Sequence, residues 1–383
     1  MGENSTVKRK KISTEQTRNY LTALKKVFLL QSQKGSWGRG DIENKVTYTS
    51  QAIQLMQTLG ISHEEKSFKR AVRWLEDHVK NGEPHWPTRV EIGLKIGDFQ
   101  KLNDDQYIDR FVDDLEYDLE HPEEVPRLDL FWDVIPTLIE LHPHEKNYKR
   151  RIPHKKVVDR IIKDSEDFGN TITVQFQANH TGLAALYLKT IKDEAEGKEY
   201  EEKSYKMIKW ILANREENAN KISWQRSRGI TSYVLIDLLK CDMEGEIEKN
   251  IPKVVNYISP NTKGNVKKDN ETTFGTKLHA DPLYVSILVL RAMTEVLKME
   301  DVSQLRDVQK EISNLSWFEA LCARVTRFVY YRKKKVPVVI CFLLSVVGII
   351  FYFYKHEFLA SLFVTIGASC AATLFFQWLE KKM

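Results

Sequence analysis

Gln31-Ser32-Gln33-Lys34-Gly35-Ser36-Trp37 decides how the rest of the chain is read. Before it, Ser13-Thr14-Glu15-Gln16 opens a helix, and Tyr20, Leu21, Leu24, Val27, Phe28 and Leu30 recur at helical spacing. After it, a second helix is predicted over Thr47–Leu59, stopped by Gly60. Each motif residue has a physical task. Gly35 permits a left-handed turn, Gln31 can bond exposed backbone at a helix end, and the Trp37 ring can cover the seam between neighbouring units.

The unit returns. Ser67–Lys80 carries Trp74 and leads to Asn81-Gly82-Glu83-Pro84-His85-Trp86; Glu202–Glu217 leads through Ile222-Ser223-Trp224 into a helix at Ile230–Lys240. Glu246–Ser259 and Ala280–Leu297 form a further pair across a Gly/Asn/Lys/Thr-rich loop. The second helices centre near Thr49, Val134, Leu183, Tyr233 and Val285, close to a fifty-residue spacing after the first interval. A fixed period of that size marks a repeat architecture. No stretch alternates convincingly at period two, so few or no strands are expected. Asn103–Glu124 is acidic and reads as a charged helix or insert between repeats.

The chain has 383 residues and a formal net charge of +5, from 58 Lys+Arg against 53 Asp+Glu. From Arg324 onward there are nine Lys/Arg and two Asp/Glu, so the basic balance belongs to the C-terminal end and not to a nucleic-acid surface. Val336–Tyr354 and Phe358–Trp378 carry no charge and are each long enough for a helix to cross a hydrocarbon core of about 30 Å. Flanked by Arg332-Lys333-Lys334-Lys335 and Lys381-Lys382, they predict a two-span hairpin with both ends cytoplasmic, in the inner or plasma membrane. The expected division is a disordered basic N-terminus at 1–12, a helical repeat body at 13–315, a basic juxtamembrane linker at 316–335, the hairpin at 336–378 and a tail at 379–383. The hairpin would also offer a route to homo-oligomers. Cys241, Cys322, Cys341 and Cys370 are scattered, without a CxxC pair, which suits a reducing compartment.

On Gln31, Gly35 and Trp37, with degenerate copies around Trp86, Trp224 and Gly275, residues 13–300 resemble the squalene-cyclase and prenyltransferase repeats with their QxxxGxW motif. The resemblance implies an all-α fold, an α/α toroid of the terpenoid-cyclase type, here joined to two transmembrane helices. It also implies that the heads of the inner helices line a cavity. Carried over, the ligand-binding candidates are Tyr48, Trp132, His180, Arg226, Arg228, Tyr233, His279, Asp281 and Tyr284.

Family catalysis is incompletely represented. Where class II cyclases carry DxDD, this chain has Asp129 and Leu130-Phe131-Trp132-Asp133, so Asp133 is the one candidate acid and its paired carboxylate is missing. The zinc-binding Asp, Cys and His of protein prenyltransferases are not assembled, because no cysteine heads an inner helix; no metal ligand set is expected. No cofactor is expected either, with magnesium only under an enzyme reading. Arg226 and Arg228 resemble a diphosphate-binding stretch. The expectation is therefore a membrane-anchored recognition or sensor module for a small-molecule, isoprenoid or protein ligand, acting through the hairpin, by fold-level analogy with phage-defence effectors. The alternative is a membrane-bound isoprenoid cyclase or transferase acting on a polyprenyl lipid.

Overall fold

The structure, a computed structural model, describes residues 12–38, 42–80, 105–122, 129–147, 151–193, 196–241, 246–266 and 282–300. The chain divides into two compact units, Met1–Asn314 and Leu315–Met383, and every described residue belongs to the first.

Helix α1 (Thr14–Leu29) starts at Ser13, whose side chain accepts from the Gln16 N–H while the Gln16 side chain accepts from the Ser13 N–H. That reciprocal capping box satisfies two helix-end donors. Tyr20, Ala23, Leu24, Val27 and Phe28 then form its buried stripe. Next come α2 (Ile42–Thr58), α3 (Lys66–Lys80) and α4 (Asp105–Glu120). The last is the acidic helix expected around 103–124, and Ile108, Phe111, Val112 and Leu115 make its buried face. A π-helical turn at Leu130–Val134 runs into α5 (Ile135–Leu141) and a 3-10 turn at His142–Asn147.

Two units of one design follow. Helix α6 (His154–Lys163), strands β1 (Ser165–Asp167) and β2 (Ile172–Val174), and α7 (Ala178–Thr190) make the first. The second is α8 (Gly197–Ala213), β3 (Glu216–Asn218), β4 (Lys221–Ser223) and α9 (Arg228–Lys240). Helices α10 (Glu246–Ile258) and α11 (Pro282–Glu300) complete the described chain.

Helices α5, α7, α9, α11 and α2 pack side by side in that order, so the last described helix lies against the second. Helix α8 backs α7, α10 backs α9, and α1 lies on α11. Such double-layer packing explains why α7 and α9 bury residues on all sides: Ala184, Ala185 and Tyr187 in one, Val234, Leu235 and Leu238 in the other.

Two expectations are corrected. Among the described residues no helix is long and apolar enough to cross a membrane, which overturns the fold class with two transmembrane helices. The longest described helix, α11, is broken electrically by Arg291, Glu295 and Lys298 and is spent on packing against α9 and α2. Residues 336–378, where the spans are expected, lie outside the described residues. Secondly, all-α is too strict, because β1–β2 and β3–β4 form two antiparallel hairpins between helices. Three-residue strands are too short to leave a period-two pattern.

Candidate functional site

The seams between helices explain how the site is held. Trp37 is fully buried, and its indole N–H donates to the Val27 carbonyl, two residues before the end of α1 (2.8 Å). Trp224 does the same to Ile211, two residues before the end of α8 (2.8 Å). In both units the Trp backbone N–H donates to a threonine hydroxyl in the next helix, Thr49 or Thr231, at 3.0 Å. Gly35, at φ +111°, brings the turn so close to α3 that a Cβ would stand 2.0 Å from the Arg70 carbonyl oxygen. The Gln31 amide donates to the carbonyls of Gly35 and Ser67, tying the turn to the first residues of α3.

The seams fix the first turns of α2 and α9, and three of the expected residues meet between these helices and α11. The Tyr233 and Tyr284 hydroxyls are hydrogen-bonded, and the Tyr48 and Tyr284 rings lie 5.7 Å apart. Helical spacing then brings in three residues that sequence reasoning missed. Gln51 follows Tyr48 by three positions, Asp237 follows Tyr233 by four, and Arg291 follows Tyr284 by seven, each staying on its helix face. The Arg291 guanidinium donates to the Gln51 side-chain oxygen. Asp237 rests against α7 at Gly182, where a Cβ would come within 3.1 Å of its carboxylate.

This cluster is electrically unusual. Burial pushes the Asp237 carboxyl up to about 7, against the opposing pull of Lys240 and Arg291. Burial also lowers the Arg291 guanidinium, which Tyr233, Glu295, Tyr284 and Asp237 counteract, and it raises both tyrosines. Arg291 is 9% exposed and Asp237 6%. Among the described residues the Arg291 Nε has no hydrogen-bond partner, and neither does the buried Ser232 hydroxyl next to Tyr233. A lone Asp in Ile230–Lys240 and a lone Arg in Leu283–Leu297 are the signals that would have found them, since such charges are seldom buried without purpose.

The other expected residues lie elsewhere. His180 stacks on Phe131 (4.7 Å, interplanar 6°) with Nδ1 paired to the Gln175 amide oxygen at 3.1 Å. Arg226 is 83% exposed at its side chain and bonds Glu216 at 2.8 Å, while Arg228 lies over the Tyr257 ring. Trp132 and Asp133 ride on the π-helical turn, a local distortion frequent at functional sites, but their side chains lie outside the described residues, as do His279 and Asp281 entirely. Gln175, Phe176, Gln225 and Arg226 all hold φ between +50° and +53°, and the Gln225 amide donates to the Phe176 carbonyl at 3.3 Å. A cleft of about 470 Å³ between α1 and α10, lined by Ser13, Gln16, Asn19, Val255 and Asn256, is separate from the tyrosine cluster. No family model, no curated relative and no solved structure matches the chain.

Proposed function

We propose that the unit Met1–Asn314 is a recognition module that binds an anionic small molecule between its inner helices, at the cluster of Tyr48, Gln51, Tyr233, Asp237, Tyr284 and Arg291. The observation that carries this is Arg291. A buried guanidinium is costly unless it is paired and hydrogen-bonded. Here it donates to the neutral Gln51 amide, its Nε is unpartnered, and of the two carboxyls that act on it, Glu295 and Asp237, the buried Asp237 is pushed up to about 7. A phosphate or carboxylate would supply the missing acceptor bidentately and add to the charge that Glu295 and Asp237 bring. The tyrosine rings suit an apolar or aromatic body attached to it.

Membrane association belongs to the same proposal and rests on sequence alone, on the uncharged runs 336–354 and 358–378. So does a role in bacterial defence against phage, which should be lost with the binding site.

One observation favours a second reading, an isoprenoid cyclase or transferase. A proton-donating acid needs a carboxyl that keeps its proton towards neutral pH, and burial in an aromatic setting pushes Asp237 up to about 7. Isothermal titration of the purified full chain with inorganic pyrophosphate and with farnesyl diphosphate separates the readings. The recognition reading expects binding that falls at least tenfold in Arg291→Gln, with melting unchanged, and no conversion of the diphosphate. Binding equal in the variant overturns the assignment of the site. Turnover that vanishes in Asp237→Asn promotes the enzyme reading.

A further inference from the structure

We infer that His142, Glu145 and His154 form a binding site for a divalent transition metal of the zinc class, with a fourth position open to water. The three residues come from two elements, the 3-10 turn after α5 and the first residue of α6. Their donor atoms all lie within 4.8 Å of one another. The Glu145 carboxylate faces both imidazoles, one oxygen 3.2 Å from His142 Nδ1 and the other 2.5 Å from His154 Nε2. The His154 ring is held from behind, where Nδ1 meets the Tyr187 hydroxyl at 2.7 Å.

Each feature suits a metal. Two imidazoles and one carboxylate are a zinc donor set that leaves a coordination position vacant. Two ligands at zinc-bond lengths and tetrahedral angles stand about 3.3 Å apart. The His142–Glu145 separation already matches, and the His154–Glu145 contact must open by about 0.8 Å, within reach of a carboxylate rotation. Tyr187 supplies the outer partner that fixes which imidazole nitrogen points at the metal. His154 is nearly enclosed, while His142 and Glu145 side chains are 17% and 21% exposed, so an ion and its water can enter from that side. Soft thiolate ligands are absent from the group, which favours zinc, cobalt or nickel over copper(I). The site shares no residue with the tyrosine cluster, so neither assignment rests on the other.

The test is zinc binding by the purified, tag-free, chelator-treated full chain, measured by competition with a chromophoric chelator, alongside melting with and without zinc. We expect one zinc per chain held at this site and a rise in melting temperature on adding it. The variant His142→Ala, altered on the exposed side, should lose one equivalent and the thermal rise, and Glu145→Gln should weaken binding. Tyr187→Phe keeps all three ligands and should cost about 10–100-fold in affinity, the effect of losing an outer-sphere partner. Cobalt bound at the site should give the intense visible absorption of tetrahedral coordination, absent in His142→Ala. Equal zinc uptake and equal melting shift in wild type and in folded His142→Ala and Glu145→Gln, or no zinc uptake by the wild type, overturns the inference and leaves a hydrogen-bonded His–Glu–His cluster.

Discussion

Units α6–α7 and α8–α9 run in register, fifty residues apart, and differ where it matters. Val174 and Trp224 occupy the same place: each donates its backbone N–H to a threonine hydroxyl, Thr181 or Thr231, at 3.0 Å. In the second unit the Trp224 indole also satisfies the Ile211 carbonyl. In the first, valine has no such donor, and the corresponding Ile161 carbonyl is taken by the Ser165 hydroxyl at 2.6 Å. What the repeat keeps is therefore the hydrogen-bond accounting and not the tryptophan. Six residues beyond each threonine the units diverge again. Tyr187 holds His154, whereas Asp237 carries a buried carboxyl beside Arg291. One unit spends that position on structure, the other on a charge.

The largest expected effect is at the seam. Trp224→Ala should destabilise by about 3–5 kcal/mol, as deletion of a buried aromatic does, and should also orphan the Ile211 carbonyl. Val174→Ala removes less volume and no donor, so chemical denaturation should show it costing clearly less. Equal losses would mean that the Trp224 ring and its bond to Ile211 add nothing to its seam.

Next in size is Asp237. Its native carboxyl titrates near 7, above its unfolded value, so the folded state binds the extra proton between about pH 4 and 7. This group therefore contributes stability at low pH that is lost as pH rises towards 7 and beyond. Asp237→Asn should flatten that slope, by an amount on the order of a few kcal/mol across the window. A slope unchanged in the variant would put the titration elsewhere.

Thr231→Val and Thr181→Val keep shape but leave a buried N–H unmatched, and each should cost about 1–3 kcal/mol by denaturant melts. Here the two units should respond alike, and a large difference would break the register.

The smallest effect has the opposite sign. Arg226 sits at φ +51° with an exposed side chain, so Arg226→Gly should stabilise by about 0.5–1 kcal/mol, the surface pair with Glu216 being worth little. A melting temperature that rises while ligand binding falls would mark the turn as strained for function.

Much of this was legible in sequence, for identifiable reasons. Helix starts such as Ser13 and apolar stripes such as Tyr20–Phe28 depend on neighbours a turn away, so they can be read locally. Gln31, Gly35 and Trp37 also act on backbone close by, with longer ties to Ser67 and Arg70 of α3. Tyr48, Tyr233 and Tyr284 were named from their place at helix heads. Gln51, Asp237 and Arg291 were not, because each lies one or two turns deeper, and their meeting depends on the order in which helices pack. His142, Glu145 and His154 were missed for a similar reason: the link crosses two elements and needs Tyr187 from a third. The hairpins escaped notice because three residues carry no periodicity.

The packing of α11 against α1 and α2 has a consequence for synthesis. Tyr20 hydrogen-bonds Thr294 at 2.7 Å across 274 positions of chain. Gln16 reaches Asn256 at 2.7 Å and Lys26 reaches Asn265 at 2.9 Å. At about 5–20 residues per second, a ribosome takes roughly 14–55 s to travel from the first tyrosine to its partner. During that interval Tyr20, Leu24 and Val27 have emerged, but the helix that covers them does not yet exist. The units at α6–α9 can close on themselves as they appear. The amino-terminal helices must wait for the far end of the body, so they are where a nascent-chain chaperone would find its longest-lived target.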